Sequence, residues 1–176
     1  MDSQNPVGLW IFFHGWTMDY NYISRQEYNK YVDLHNFLII YPSGQSDYNG
    51  IYENDGWSSW NIGDHDPETF CTTDIKHGYC YDSCKQIPGE CDRCSWTSCY
   101  DDVFFIQELM KKMRQDYTID ESKVVLIGGS NGGMFTNYLA GKVDASHFIP
   151  LYGNPPIKHY PDRGVIWVDS TRSSHL

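Results

Sequence analysis

The sequence predicts an α/β fold with a largely parallel sheet and flanking helices, and three observations carry that prediction. Short apolar runs, too brief for helices, recur along the chain in the manner of buried strands. Segments with helical periodicity or turn-rich composition separate them, the alternation expected of βαβ units. The third observation is "VVLIGGSNGGMF", Val124 to Phe135, an apolar strand that breaks into glycines around one serine and continues as a helix.

Taken in order, Val7 to Phe13 ("VGLWIFF") is a continuous apolar run and reads as a parallel strand buried on both faces. The next segment opens at Ser24, "SRQEYNKYVDLHN". Ser24 and Glu27 form a capping box there, and Tyr28, Tyr31, Val32 and Leu34 supply a helical apolar face. "FLIIYPSG", Phe37 to Gly44, is a second strand closed by a Pro-Ser-Gly turn, which completes one βαβ unit. From Gln45 to about Tyr100 periodicity gives way to Asp, Asn, Gly, Trp, Tyr and Cys. In "DDVFFIQELMKKMRQDY" a helix returns. Val103, Ile106, Met110 and Met113 share one face with Phe105 and Leu109 beside it, and Asp101 and Asp102 cap its positive end. "KVVLIGG" is the third strand, "NGGMFTNYLAGK" a helix, "HFIPLYG" a fourth strand and "GVIWVDS" a fifth.

A chain of 176 residues suits one domain, 1–176, with a Cys-rich insertion at 64–100 inside it. Hydrophobic residues at 40% against 20% charged give globular composition, and the net charge of −10 argues against nucleic acid or an anionic membrane as partner. No apolar run approaches the length of a membrane span, and a monomer is expected. All six cysteines, Cys71, Cys80, Cys84, Cys91, Cys94 and Cys99, crowd into the insertion. An even count in one loop-like segment predicts disulfides, with their pairing open. The rival is a zinc site built on Cys91-x-x-Cys94, but Cys80-x-x-x-Cys84 matches the required second pair only loosely, so no metal is expected. Disulfides imply an extracellular protein. "MDSQNPVGLWIFFHG" has neither a basic n-region nor a cleavage site, so the leader is expected to lie outside this chain.

The serine motif has the form G-x-S-x-G, with Gly128, Ser130 and Gly132 at the marked positions. A strand that turns at once into a helix forces the turning residue into a strained backbone conformation, and its neighbours must be small. Gly128, Gly129, Gly132 and Gly133 meet that need. The strain lifts the Ser130 hydroxyl clear of the sheet. The Asn131 amide, in the first helical turn, has no intrahelical partner and can hold the oxyanion formed when an ester carbonyl is attacked. A second donor is expected from "FFHGWT", where the Trp16 amide follows the first strand and His14 is structural. The bland alternative is a phosphate-binding or plain glycine turn.

The series "HGWTMD", "YPSGQ", "WSSWNIG", "YDDVFFIQEL", "YTIDESKVVLIGGSNGGMF" and "YLAG" resembles the polyhydroxybutyrate depolymerase and feruloyl esterase-like family of secreted α/β-hydrolases over about Val7 to Gly153. The resemblance implies an α/β-hydrolase fold and cleavage of polyhydroxyalkanoate, feruloyl-polysaccharide or related acyl esters, some of them polymeric. It implies Ser130 as nucleophile, the Trp16 and Asn131 amides as oxyanion hole, and no cofactor. The Cys-rich insert resembles that of microbial-eukaryote members. "GGSNGG" also fits prolyl oligopeptidases, although "YPSG", "SWN" and "DDVFF" favour the esterases.

Two departures from that family stand out. Few residues precede the first strand, where the family has further strands. At the other end, Asp169 follows the fifth strand and is the candidate triad acid, but Thr171 and Arg172 stand where the family has His-Gly before its acid. His175 is the remaining candidate base, too close to Asp169 and to the end of the chain to be held firmly against Ser130. The domain is therefore expected to be partial at both ends, and a hydrolase-like remnant or binding protein without turnover is the alternative function. His65, His77, His147 and His159 read as exposed or locally bonded. Trp57, Trp60 and Trp96 either line a cleft or pack a small core.

Overall fold

In the computed structural model, residues 5–21, 28, 32–47, 57–62, 98 and 100–153 are described. Strand β1 is Val7–Phe13, α1 Val32–His35, β2 Phe37–Ile40, β3 Ser46–Asp47, β4 Trp57–Ser58, α2 Asp102–Asp116, β5 Ile119–Gly129, α3 Asn131–Leu139 and β6 His147–Leu151. Four strands form a parallel sheet in the order β2-β1-β5-β6, and β3 and β4 make a short antiparallel ribbon. The α/β class with a parallel sheet and flanking helices is therefore observed. Of the helix expected from Ser24, residues Val32–His35 are helical, as α1, while Ser24, Glu27 and the expected fifth strand lie outside the described residues.

The sheet forms because its strands are apolar on both faces. Leu9, Ile11 and Phe13 of β1 and Val124 and Leu126 of β5 point to one face, where they meet Ile106 and Met110 of α2, Phe135 and Leu139 of α3, and Trp60 and Ile62. Phe12, Val125 and Ile127 make a smaller cluster on the other face with Trp10, Ile39, Tyr41 and Leu151. Alternation of Cβ atoms along a strand separates the two sets. Three aromatic rings close the larger core. Trp60 stacks on Phe135 at 5.1 Å with the rings 5° from parallel, and Phe13 meets both edge-on.

Helix α2 follows its predicted span but divides its first two residues. Asp101 is the N-cap and accepts the Phe104 amide at 3.0 Å. Asp102, expected to share that role, is instead buried and turned toward the core. Ile106 and Met110 are the buried stripe, whereas Phe105 remains 42% exposed. No helix among the described residues is long and apolar enough to cross a membrane.

This division makes a direct comparison possible. Ile106→Ala is expected to lower the unfolding free energy by about 2–5 kcal/mol, and Phe105→Ala by about 0.5 kcal/mol or less. Urea titration checks both, and equal losses would mean that α2 buries a different face.

Candidate active site

Strand order reverses direction between β1 and β5. β2 follows β1 on one side, and the chain then crosses to lay β5 on the other. The crevice at the carboxyl ends of the two strands flanking such a switch point is where open α/β sheets bind ligands. Gly128 pairs with Phe13 and Gly129 with Leu151, so the ends of β1, β5 and β6 lie level. Ser130 is the next residue.

Ser130 alone joins β5 to α3. It takes φ 55° and ψ −120°, left-handed on φ and outside the ordinary allowed regions for a side-chain-bearing residue. Its amide donates to the Leu151 carbonyl at 2.9 Å and its own carbonyl accepts the Met134 amide at 2.9 Å, so both neighbours fix the turn. The side chain is exposed and makes no capping bond to α3. This is the strained, outward-facing serine that the sequence predicts.

Glycines make the turn possible, though not all four equally. A Cβ on Gly132 would strike the Phe13 and His14 carbonyls, where the end of β1 crosses the first turn of α3. One on Gly128 would overlap the Gly132 carbonyl, and one on Gly133 would press on the Leu151 carbonyl at 2.5 Å. Gly129 differs from expectation, because nothing lies within 4 Å of the place its Cβ would occupy. The reason is geometric: Gly132 and Thr136 of α3 pack against Gly128, while Gly129 faces open space just before the turn.

The predicted oxyanion-hole loop lies beside the serine. Met18 donates its amide to the Gly15 carbonyl at 3.2 Å, which closes a four-residue turn with Trp16 and Thr17 in the centre and Thr17 at φ 63°. A Cβ on Gly15 would come within 3.6 Å of the Ser130 Cβ, so this turn and the Ser130 turn are adjacent. Ribbon β4 anchors the turn: Thr17 donates its amide to the Ser58 carbonyl at 3.0 Å, and the Ser58 hydroxyl donates to the Met18 carbonyl.

A network that sequence reasoning missed locks these parts together. The buried Asn131 side chain pairs with the Trp60 backbone, its Oδ1 accepting the Trp60 amide at 2.7 Å and its Nδ2 donating to the Trp60 carbonyl at 3.2 Å. The Trp60 indole Nε1 then donates to the His14 carbonyl at 3.0 Å. His14 is fully buried; Nδ1 lies 2.7 Å from the Gly15 carbonyl and Nε2 accepts the Gly44 amide at 2.8 Å. That pattern requires the neutral tautomer with hydrogen on Nδ1. Burial pushes the His14 pKa below the ordinary histidine value, against the Gly15 carbonyl and the Asp19 charge. Its contribution to stability is present above the ordinary histidine range and is lost as pH falls. His14 is a structural strut, as expected, and Trp60 is core rather than cleft. The signal for Asn131 lay in its position after the serine, but only the fold reveals that its amide meets a backbone distant in sequence.

Asp102 extends the network. Its Oδ2 accepts the Asn61 amide at 2.7 Å, next to Trp60, and Asn61 Nδ2 donates to the Tyr100 carbonyl at 2.9 Å. Burial raises the Asp102 pKa to about 7; the Asn61 amide lowers it, the Asp101 charge raises it, and the Ser98 hydroxyl lowers it. A recess lined by Ser43, Gln45, Tyr100, Asp101, Asp102 and Phe105 opens over this carboxylate, and Ser130 is not among its walls.

The remaining histidines and the other predicted residues divide by position. His35 ends α1, just before β2, and His147 begins β6, which places both at the amino edge of the sheet, opposite Ser130. His147 bonds the Ser146 hydroxyl at 2.9 Å. Asp169, His175, His65, His77, His159, Trp96 and the cysteines Cys71, Cys80, Cys84, Cys91, Cys94 and Cys99 lie outside the described residues, as does the Trp57 side chain. Among known proteins, no family model matches the sequence and no curated protein matches it significantly.

Two measurements test this geometry. Gly129→Ala is expected to change stability by no more than about 1 kcal/mol, while Gly132→Ala, which must displace backbone, is expected to cost several times more or prevent folding. Thermal unfolding ranks the two, and equal effects would refute the packing described. For Asp102 the folded pKa lies above the unfolded one, so the folded state binds the extra proton. The wild type should therefore lose stability relative to Asp102→Asn as pH rises from about 4 to about 7, with the difference level above that. Parallel denaturant titrations across that range show it, and a flat difference would place Asp102 in water.

Proposed function

We propose that this chain is a serine-dependent carboxylic ester hydrolase with an α/β-hydrolase architecture, related to the polyhydroxybutyrate depolymerase and feruloyl esterase-like enzymes, and acting through an acyl-enzyme on Ser130. One observation carries the proposal: an exposed serine at φ 55°, alone between a parallel strand and a helix, at the switch point of the sheet. Backbone strain of this kind persists only where the surroundings over-determine it, and it concentrates at functional sites.

The chemistry follows from the placement. Ser130 Oγ attacks the ester carbonyl carbon while its proton passes to a base, and the carbonyl oxygen becomes an oxyanion. The Asn131 amide, at the first position of α3, and the Trp16 amide, in the adjoining turn, are the proposed donors to that oxygen. Collapse expels the alcohol, which takes the proton from the base. Water then attacks the acyl-serine, releasing the acid and restoring the hydroxyl. No step draws on a cofactor.

The base is the part of the proposal that rests on placement elsewhere. Of the described histidines, His14 has both ring nitrogens engaged in the core, and His35 and His147 lie at the far edge of the sheet. A catalytic histidine would therefore come from outside the described residues, with His175 the candidate base and Asp169 the candidate acid within this sequence. That distribution is also what favours the second reading, a hydrolase-like protein that binds without turnover.

Reaction with a fluorophosphonate separates the two. The expected result is one adduct on the 176-residue chain, located at Ser130 by fragmentation and absent from Ser130→Ala, with p-nitrophenyl ester hydrolysis reduced by at least about 10³-fold in that variant. A folded chain that gains no adduct would overturn the enzyme reading of these 176 residues and leave the binding one.

A further inference from the structure

Four non-glycine residues among the described ones adopt positive φ, and three of them cluster. Thr17 follows β1 at 63°, Ser130 follows β5 at 55° and Tyr152 follows β6 at 55°, at the carboxyl ends of three adjacent strands. The fourth, Asn36, joins α1 to β2 at the opposite edge, belongs to a residue type that tolerates this conformation, and donates its side-chain amide to the Pro6 carbonyl at 3.0 Å. Ser130 is explained by the one-residue junction of β5 with α3 and Thr17 by the turn that ribbon β4 anchors. Tyr152 is explained by neither.

A bulky side chain in the left-handed region costs free energy that glycine avoids. Glycine is present next door, but Gly153 is committed to clearance, because a Cβ there would strike the Gly133 backbone and the Met134 amide. The Tyr152 ring returns nothing to the core, being 97% exposed. Both of its neighbours are pinned. The Leu151 carbonyl accepts the Ser130 amide at 2.9 Å, and the Gly153 carbonyl accepts Asn137 Nδ2 at 2.9 Å. Tyr152 is thus a strained aromatic projection held between two fixed points, one of which is bonded directly to the serine turn.

We propose that Tyr152 is a substrate-contact residue of the Ser130 site, its ring forming the β6-side wall for a flat or apolar group of the ester. The facing wall is the β1 turn, where Met18 Sδ and Ser130 Cβ stand 3.3 and 3.6 Å from the point a Gly15 Cβ would occupy. Strand order sets the Met18 turn on the β1 side of Ser130 and the Tyr152 backbone on its β6 side. Tyrosine offers a large contact area with few torsions to freeze, which is why it recurs in recognition surfaces. Burial of the ring against substrate recovers the apolar area that the free protein leaves in water.

This inference rests on the esterase reading of Ser130, and its test keeps the two apart. Two fluorophosphonates are compared on the full chain, one carrying an aryl group and one an ethyl group, with adducts located by fragmentation. The ratio of aryl to ethyl labelling rates is expected to fall about fivefold in Tyr152→Gly, the scale of one aromatic contact, and to be kept in Tyr152→Phe. The melting temperature of Tyr152→Gly is expected to hold or rise, since glycine takes φ 55° without strain, so misfolding cannot account for a lower ratio. An unchanged ratio with Ser130 labelled would overturn the role of Tyr152 and leave the esterase reading standing. Failure of both probes to label Ser130 in the wild type would remove the esterase reading, and the wall with it.

Discussion

Strand β5 passes into helix α3 through a single residue, and that constraint organises everything around it. Gly129 is the last residue of the strand and Asn131 the first of the helix, so Ser130 absorbs the whole change of direction in one pair of dihedrals. A turn this tight brings helix backbone against strand backbone, which is why Gly128, Gly132 and Gly133 have no room for a side chain. It also leaves the helix start facing the end of β1, with the unpaired donors of the first turn beside the serine. Remove the tightness, and the serine sinks into an ordinary cap position.

A strained turn needs something to hold it, and here the holding is done by polar groups inside an apolar core. Asn131 pairs its side-chain amide with the Trp60 backbone, Trp60 donates its indole N–H to the His14 carbonyl, and His14 Nε2 accepts the Gly44 amide N–H. Each member satisfies another, which is the condition under which buried polar groups specify a structure instead of weakening it. The surrounding rings, Phe13, Trp60 and Phe135, exclude water from that chain of bonds. Asp102 shows the cost of the arrangement. Holding the Asn61 amide requires a carboxylate where the core disfavours charge, and its proton affinity rises accordingly.

Much of this was legible in the residues. Val7–Phe13, the α2 span and the strand-turn-helix around Ser130 are local features, set by apolar periodicity, an N-cap aspartate and glycine spacing, and each appears where the pattern puts it. What was not legible depends on meetings across the chain. Periodicity places Asp101 and Asp102 together at a helix start; only the docking of Asn61 decides that one caps and the other is buried. Gly129 looks like its neighbours in a glycine run, yet the space beside it belongs to no element. Trp60 could have lined a cleft, and the stacking on Phe135 that settles its place joins two segments with no shared pattern. Tyr152 gives no sequence signal, because what sets it apart is a backbone angle.

The clamp on the serine turn also has a history during folding. Trp60 and Asn131 are 71 positions apart in sequence, Trp60 and His14 46, and Asn61 and Asp102 41. Contacts of that span repay the entropy of closing a long loop only after much of the chain is already ordered. Helix α2 and the junction of β5 with α3 close over short distances and can form first. The segment Ser58–Ile62 joins them afterwards and brings Asn131 and His14 under one set of bonds. The polar clamp is therefore a late acquisition of the folding chain, so a species caught with its helices formed and this segment undocked would present Ser130 without the bonds that hold its turn.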